Sequence, residues 1–189
     1  MESVSEARQN IADYAHPSSR FLDAFIKYGD RYAAFYTSKY LIQDTEEGIS
    51  TICEEGFSQN PLRAYIEFWG TFQALIIQQD AIREIHKAVN GKDIEEPKDN
   101  SAWHEIRRLR NELAGHPAAQ GNSSTLKRTF MGRRFGSLDA IKFEQCQPSL
   151  SNSPLHPTFN MRALIERYDV EASAILLCVL DYMRKNWPP

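Results

Sequence analysis

The residues of this chain best suited to chemistry stand close together as Arg110, Asn111 and His116, in the run WHEIRRLRNELAGHP. Arginine offers a planar fork of N–H donors that matches a phosphate or a carboxylate. Histidine has an ordinary titration range that lets it take or give a proton near neutrality. A fixed cation beside a proton-transfer group is the pairing that phosphodiester chemistry requires. Asn111 can orient either partner or contact a phosphate oxygen.

These residues need a helix to hold them, and the spacing predicts one from near Ser101 to Gly115. At about 100° per residue, Trp103, Ile106, Leu109 and Leu113 share one arc of about 120°. Arg110 falls inside that apolar arc, where a guanidinium is costly unless it is paired or reaches a cleft. Arg107, Asn111 and Ala114 lie on the adjoining edge. Gly115 suits a left-handed closing residue. Pro117 pushes His116 out of helical geometry, just past the helix end, where the dipole favours an imidazolium. A chain turning back there would bring His116 near Arg110. Plainer roles stay open at this point. Arg110 could pair with a carboxylate such as Glu105 or Asp181, and His116 could serve only as a helix cap.

The run Arg110-Asn111-Glu112-Leu113-Ala114-Gly115-His116-Pro117 resembles the signature of HEPN domains, an arginine, often followed by a polar residue, with a histidine shortly after. The surroundings resemble that family too: an earlier long helix carrying QQDAIREIHKAV, the motif at a helix end, and a long closing helix. The resemblance implies a helical bundle that forms a homodimer, with two Arg110/His116 pairs meeting in one cleft. It implies a metal-independent endoribonuclease in a toxin or defence role, leaving 2′,3′-cyclic phosphate ends, with RNA as substrate and an antitoxin or other protein as a further partner. Some members are catalytically silent and only bind nucleotide, RNA or protein, so that alternative stands beside the first. In one subgroup a tyrosine lies three residues after the histidine. Here that position is Ala119, so regulation through that tyrosine is not expected.

Between Ser101 and Arg134 seven basic residues face two acids, a local excess of five positive charges in a chain of net charge −3. Arg107, Lys127, Arg128, Arg133 and Arg134 are therefore candidate RNA- and phosphate-binding residues, although such charges alone also suit a solvated face. The reaction needs both a base and an acid while one chain offers one histidine in the motif, a second reason to expect a homodimer.

Other chemistries find no support. His104-Glu105 opens an HExxH pattern, but Arg108 stands where the second histidine would be. Cys53, Cys146 and Cys178 are far apart, with no CxxC, so neither a zinc site nor a disulfide framework is expected. No glycine loop for phosphates and no cofactor signature is present. The N-terminal MESVSEARQN lacks the layout of a signal peptide. The longest apolar run, Ala174 to Leu180, is far short of the roughly 20 residues a membrane span needs. A cytoplasmic protein without a membrane partner is expected.

With 189 residues, 42% hydrophobic and 25% charged, the chain fits one folded domain, 1–189. Residues 1–18 form an N-terminal extension with a short helix over 3–15. Aromatic residues Phe21, Phe25, Tyr28, Tyr32, Phe35 and Tyr40 recur at helical steps, and Thr45-Glu46-Glu47 reads as a new helix start with its stop at Gly56. Asn60-Pro61 caps the longest helix, which runs through Leu62, Tyr65, Trp69, Phe72, Ile76, Ile82, Ile85 and Val89 and stops at Asn90-Gly91; it would be roughly 45 Å long. The aromatic stripes of both helices are expected in the core. TLKRTFMGRRF and AIKFEQC alternate across Gly136-Ser137 and predict a β-hairpin over 125–146. A last helix is expected over 158–186, halted by Pro188-Pro189. The expected fold class is mainly α, a four- to five-helix bundle with a β-hairpin inserted before the last helix, which the resemblance implies to be of HEPN type.

Overall fold

The computed structural model describes residues 2–16, 21, 23, 25, 27–95, 97–122, 125–147 and 153–187. The protein is mainly helical with small antiparallel sheets. Its described helices are α1 (Val4–Ala15), α2 (Gly29–Glu55), α3 (Pro61–Asn90), α4 (Ala102–Arg110) and α5 (Met161–Asn186). Among the described residues no helix is long and apolar enough to cross a membrane.

Local chemistry sets most helix ends. Ser3 and Glu6 form a reciprocal capping box at the start of α1. The Asn60 side chain accepts from the N–H groups of Leu62 and Arg63, with Pro61 in the first turn. Gly91 closes α3 with a left-handed φ of 75°. The Asn160 side chain caps α5, which therefore begins at Met161 and not at 158. The predicted stop at Pro188-Pro189 lies outside the described residues.

The predicted helix start at Thr45 does not occur, because α2 runs unbroken through it. The Thr45 hydroxyl donates to the carbonyl of Leu41, one turn back, so it is spent inside the helix. Phe35, Ser38, Ile42, Thr45 and Ile49 make a continuous buried seam at steps of three and four, and that seam overrides the local start signal.

The expected core stripes are only partly buried. Phe21, Phe25, Phe35, Phe68 and Phe72 are in the core, whereas Tyr28, Tyr36, Tyr40, Leu62, Ile66 and Trp69 are exposed. The first half of α3 carries apolar residues on more than one face, beside the Arg63–Glu67 ion pair. Phe68, Phe72, Leu75, Ile82 and Ile85 of this helix fill the core between α2 and α5, while Leu62, Ile66 and Trp69 stay exposed.

The hairpin is present in interrupted form. Strand β1 (Arg128–Phe130) pairs antiparallel with β4 (Glu144–Cys146), Thr129 opposite Gln145. Strand β2 (Gly136–Ser137) pairs with β3 (Ala140–Lys142), which also pairs with β5 (Thr158–Phe159). The tight turn is thus Leu138-Asp139, not Gly136-Ser137. Gly136 has φ 108°, and a Cβ there would lie 2.0 Å from the Ala140 carbonyl oxygen, so only glycine fits. Between the two ladders, Met131 and Phe135 turn inward and bury themselves. Phe135 sits 5.3 Å from the ring of Phe68 and 5.4 Å from that of Phe57. Core burial of these two side chains breaks the ladder.

Candidate functional site

Helix α4 is anchored at its start by α5. The Glu171 carboxylate accepts from the backbone N–H groups of Ala102 and Trp103, both at 2.9 Å, and Ser101 caps the same turn. Ala102, Trp103, Ile106 and Leu109 are buried, and Gln79 on α3 donates to the Trp103 carbonyl at 3.1 Å. The apolar arc expected from spacing is the buried face.

After Arg110 the helix widens into a π turn, Asn111–Gly115, closed by the His116 N–H bonding to the Asn111 carbonyl at 2.8 Å. Such turns insert one residue and recur at functional sites. A π turn stacks residue i+5 over residue i, and here the Arg110 guanidinium folds over Gly115. A Cβ built on Gly115 would lie 3.0 Å from Nη1 and 3.6 Å from Cζ of Arg110. Gly115 does not have a positive φ, so the expected left-handed closing residue is not what is found. Its lack of a side chain makes room for Arg110.

Arg110 is half-buried and held by neutral amides. Nη1 donates to Asn111 Oδ1 at 3.1 Å and Nη2 to Gln73 Oε1 at 3.3 Å. Among the described residues no carboxylate pairs with it. Glu105 is taken by Arg167 and Asp181 by Arg184. The guanidinium opens onto a cleft of about 330 Å³ lined by Ile66, Trp69, Gly70, Gln73 and Ala114. A cation fixed by amide oxygens keeps its full charge for an incoming anion.

His116 is exposed, with φ −134° and ψ 50°, one residue beyond the glycine that carries the guanidinium. Its imidazole makes no hydrogen bond among the described residues. The chain beyond it is tied to β1: the Pro117 carbonyl accepts from the Thr129 N–H at 2.8 Å, and Gln120 and Lys127 exchange backbone hydrogen bonds. The buried Thr129 hydroxyl donates to the Glu112 carbonyl inside the π turn. The hairpin therefore clamps the motif as well as extending the bundle.

The predicted basic rim divides. Arg107 pairs with Asp80, and Arg108 and Lys127 pair with Glu112, whose side chain is only 5% exposed. Arg128, Arg133 and Arg134 are exposed without an ion-pair partner among the described residues. Arg133 and Arg134 line another cleft, of about 630 Å³, with Arg162, Asp139 and Glu55. That cleft includes Ala64 on α3, two residues before Ile66 of the Arg110 cleft, so both clefts draw on the first half of this helix.

Sequence reasoning missed Gln73, Trp69, Ile66 and Thr129. Gln73 lies 37 residues from Arg110 and carries no motif. Apolar residues beyond a single face in the first half of α3, Leu62, Ile66 and Trp69, were the available signal for an exposed patch. Compared with protein-family models, curated proteins and solved structures, the chain matches none.

Proposed function

We propose that this chain is a HEPN-type helical bundle acting as a metal-independent endoribonuclease. The observation that carries the reading is the state of Arg110: held by two amide oxygens, unpaired with any carboxylate among the described residues, and folded over the glycine next to an exposed histidine.

In this reaction Arg110 binds the scissile phosphate bidentately and stabilises the charge of the phosphorane. One His116 removes the proton of the substrate's 2′-hydroxyl, and the 2′ oxygen bonds to phosphorus. The bond from phosphorus to the 5′ oxygen breaks, and a second His116 delivers a proton to that leaving oxygen. The products are a 2′,3′-cyclic phosphate and a 5′-hydroxyl. Asn111 positions Arg110 through its side chain and His116 through its carbonyl. Arg128, Arg133 and Arg134 add sequence-independent contacts to the RNA backbone, with Arg107 and Lys127 contributing where their surface ion pairs open.

A second copy of the chain supplies the second histidine. The exposed Leu62, Ile66 and Trp69, 62%, 63% and 39% accessible, lie along the helix that lines the Arg110 cleft, and a symmetric dimer through this patch brings the two clefts together. The setting proposed is cytoplasmic, in a toxin or defence role with an antitoxin or other protein as neutralising partner. The lack, among the described residues, of an orienting partner for the His116 imidazole favours a second reading, a catalytically silent module that binds RNA, nucleotide or protein.

Labelled RNA incubated with the protein in EDTA, beside Arg110→Ala and His116→Ala, separates the two. Cyclic-phosphate ends made by wild type and lost in both variants support the ribonuclease. Intact RNA in every lane, with folded dimers verified, supports the binding module.

A further inference from the structure

Helix α2 and its N-cap carry a row of tyrosines that packing leaves outside the core. Tyr28, Tyr32, Tyr36 and Tyr40 recur every four residues, a step that keeps side chains on one helix face. Tyr28, Tyr36 and Tyr40 are 58%, 47% and 44% accessible, and Tyr32 is half-buried. The rings brace one another. The centres of Tyr32 and Tyr36 lie 6.1 Å apart with planes at 28°, and those of Tyr36 and Tyr40 lie 5.0 Å apart at 64°. Single exposed aromatic residues are ordinary, but a contiguous row of them marks an interaction surface.

The charge beside this row is positive. The Lys39 ammonium stands 4.8 Å from the centre of the Tyr40 ring and 5.5 Å from that of Tyr36. The Arg31 guanidinium stands 5.0 Å from the centre of the Tyr28 ring. Neither cation has an ion-pair partner among the described residues. From Lys27 to Leu41 three basic residues stand against one acid, Asp30. Asp30 is two residues from Tyr32 and so faces another side of the helix. Asp44, four residues beyond Tyr40, ends the row with the opposite charge. Towards α1 the row borders a cleft of about 380 Å³, lined in part by Tyr32, Tyr36, Lys39, Asp13 and His16, which leaves open space beside the rings.

Aromatic rings and unneutralised cations in one row fit one ligand chemistry. Nucleobases stack on aromatic side chains, and the phosphates that join them meet the cations alongside. An acidic peptide would use the cations alone, and an apolar one the rings alone. We propose that the tyrosine row of α2 holds an unpaired RNA strand, its bases on Tyr28, Tyr36 and Tyr40 and its phosphates on Arg31 and Lys39. A base-paired duplex is not held, because its bases are already stacked on one another. The choice of RNA rests on the ribonuclease reading. The row itself lies on a different helix from Arg110, and holding a strand requires no cleavage.

The test is fluorescence anisotropy of a labelled single-stranded RNA of about 12 nucleotides, beside a duplex of equal length. The protein is the full chain carrying Arg110→Ala and His116→Ala, so that neither cleavage nor the Arg110 cleft contributes. Saturable binding of the single strand over the duplex is expected, weakened about tenfold by Tyr36→Leu. Lys39→Gln should lower the slope of log affinity against log salt by about 0.7, the share of one phosphate contact on a single strand. Tyr36 is exposed and leucine is a good helix former, so that variant keeps its fold. No binding, equal binding of the duplex, or unchanged affinity in Tyr36→Leu overturns the proposal. A dimer that becomes a monomer on Tyr36→Leu also overturns it and makes the row an interface between copies. Cyclic-phosphate ends made by the wild-type chain beside any of these results leave the ribonuclease reading standing, and strand binding without cleavage does the reverse.

Discussion

The guanidinium of Arg110 rests against Gly115, so close that a methyl group on that glycine would stand 3.0 Å from Nη1. The contact joins the charged group to the backbone of the histidine's neighbour, and the π turn creates it by stacking residue 115 over residue 110. The geometry of the site is therefore open to a substitution that leaves the fold intact.

Gly115→Ala is that substitution. Its φ is not positive, so alanine is tolerated by the backbone, and the group it meets is the movable end of a side chain. Thermal stability should stay level or rise, since alanine is about 0.5–1 kcal/mol better than glycine inside a helix. RNA cleavage should fall by about tenfold as the guanidinium is displaced by a few tenths of an ångström. Wild-type cleavage by a folded Gly115→Ala protein would remove Arg110 placement from the account.

Thr129→Val keeps shape and burial but deletes the hydroxyl that bonds the Glu112 carbonyl. Urea unfolding should show a loss of about 1–2 kcal/mol, because the carbonyl loses its buried donor. Thr129→Ser should recover most of it. A valine variant as stable as wild type would mean that the hairpin does not clamp the π turn.

Ile66→Asp tests the proposed dimer face. The side chain is 63% exposed, so monomer stability should change by no more than about 0.5 kcal/mol. Light scattering should show a monomer where wild type is a dimer, with cleavage lost in step. A dimer that survives the charge places the contact elsewhere.

Glu46 provides a pH-dependent prediction. Burial raises its carboxyl above the ordinary 4.5, the Gln78 and Ser50 hydrogen bonds oppose this, and the Asp169 charge adds to it. The folded state then holds a proton more tightly than the unfolded chain. Its contribution to stability is fully present below 4.5 and is lost as pH rises through the raised value. Glu46→Gln should unfold at higher urea than wild type at neutral pH, with the two midpoints converging in acid. Equal midpoints across the range would show that Glu46 ionises without penalty.

Reading the chain alone placed several helix termini where a cap is a local event, although the Asn160 cap of α5 was missed. Ser3 with Glu6, Asn60 with Pro61 and Asn90 with Gly91 satisfy backbone groups within their own turn, so neighbouring residues suffice to identify them. The same locality exposed Arg110 as a charge on an apolar arc and put His116 at the helix end. Where a signal was local but a longer seam opposed it, as at Thr45 in α2, the seam prevailed, because one hydroxyl weighs less than a row of buried side chains.

What the chain alone determined, then, is a mainly helical domain and the identity of its one misplaced arginine. Only the tertiary structure decided what holds that arginine, since Gln73 comes from another helix, and that Gly115 is there for space and not for a left-handed turn. It also decided which face of α3 stays open, and that the hairpin breaks where Met131 and Phe135 enter the core. Each of these depends on which distant surfaces meet, and hydrophobic burial, being non-directional, does not encode its partner in the local pattern of residues.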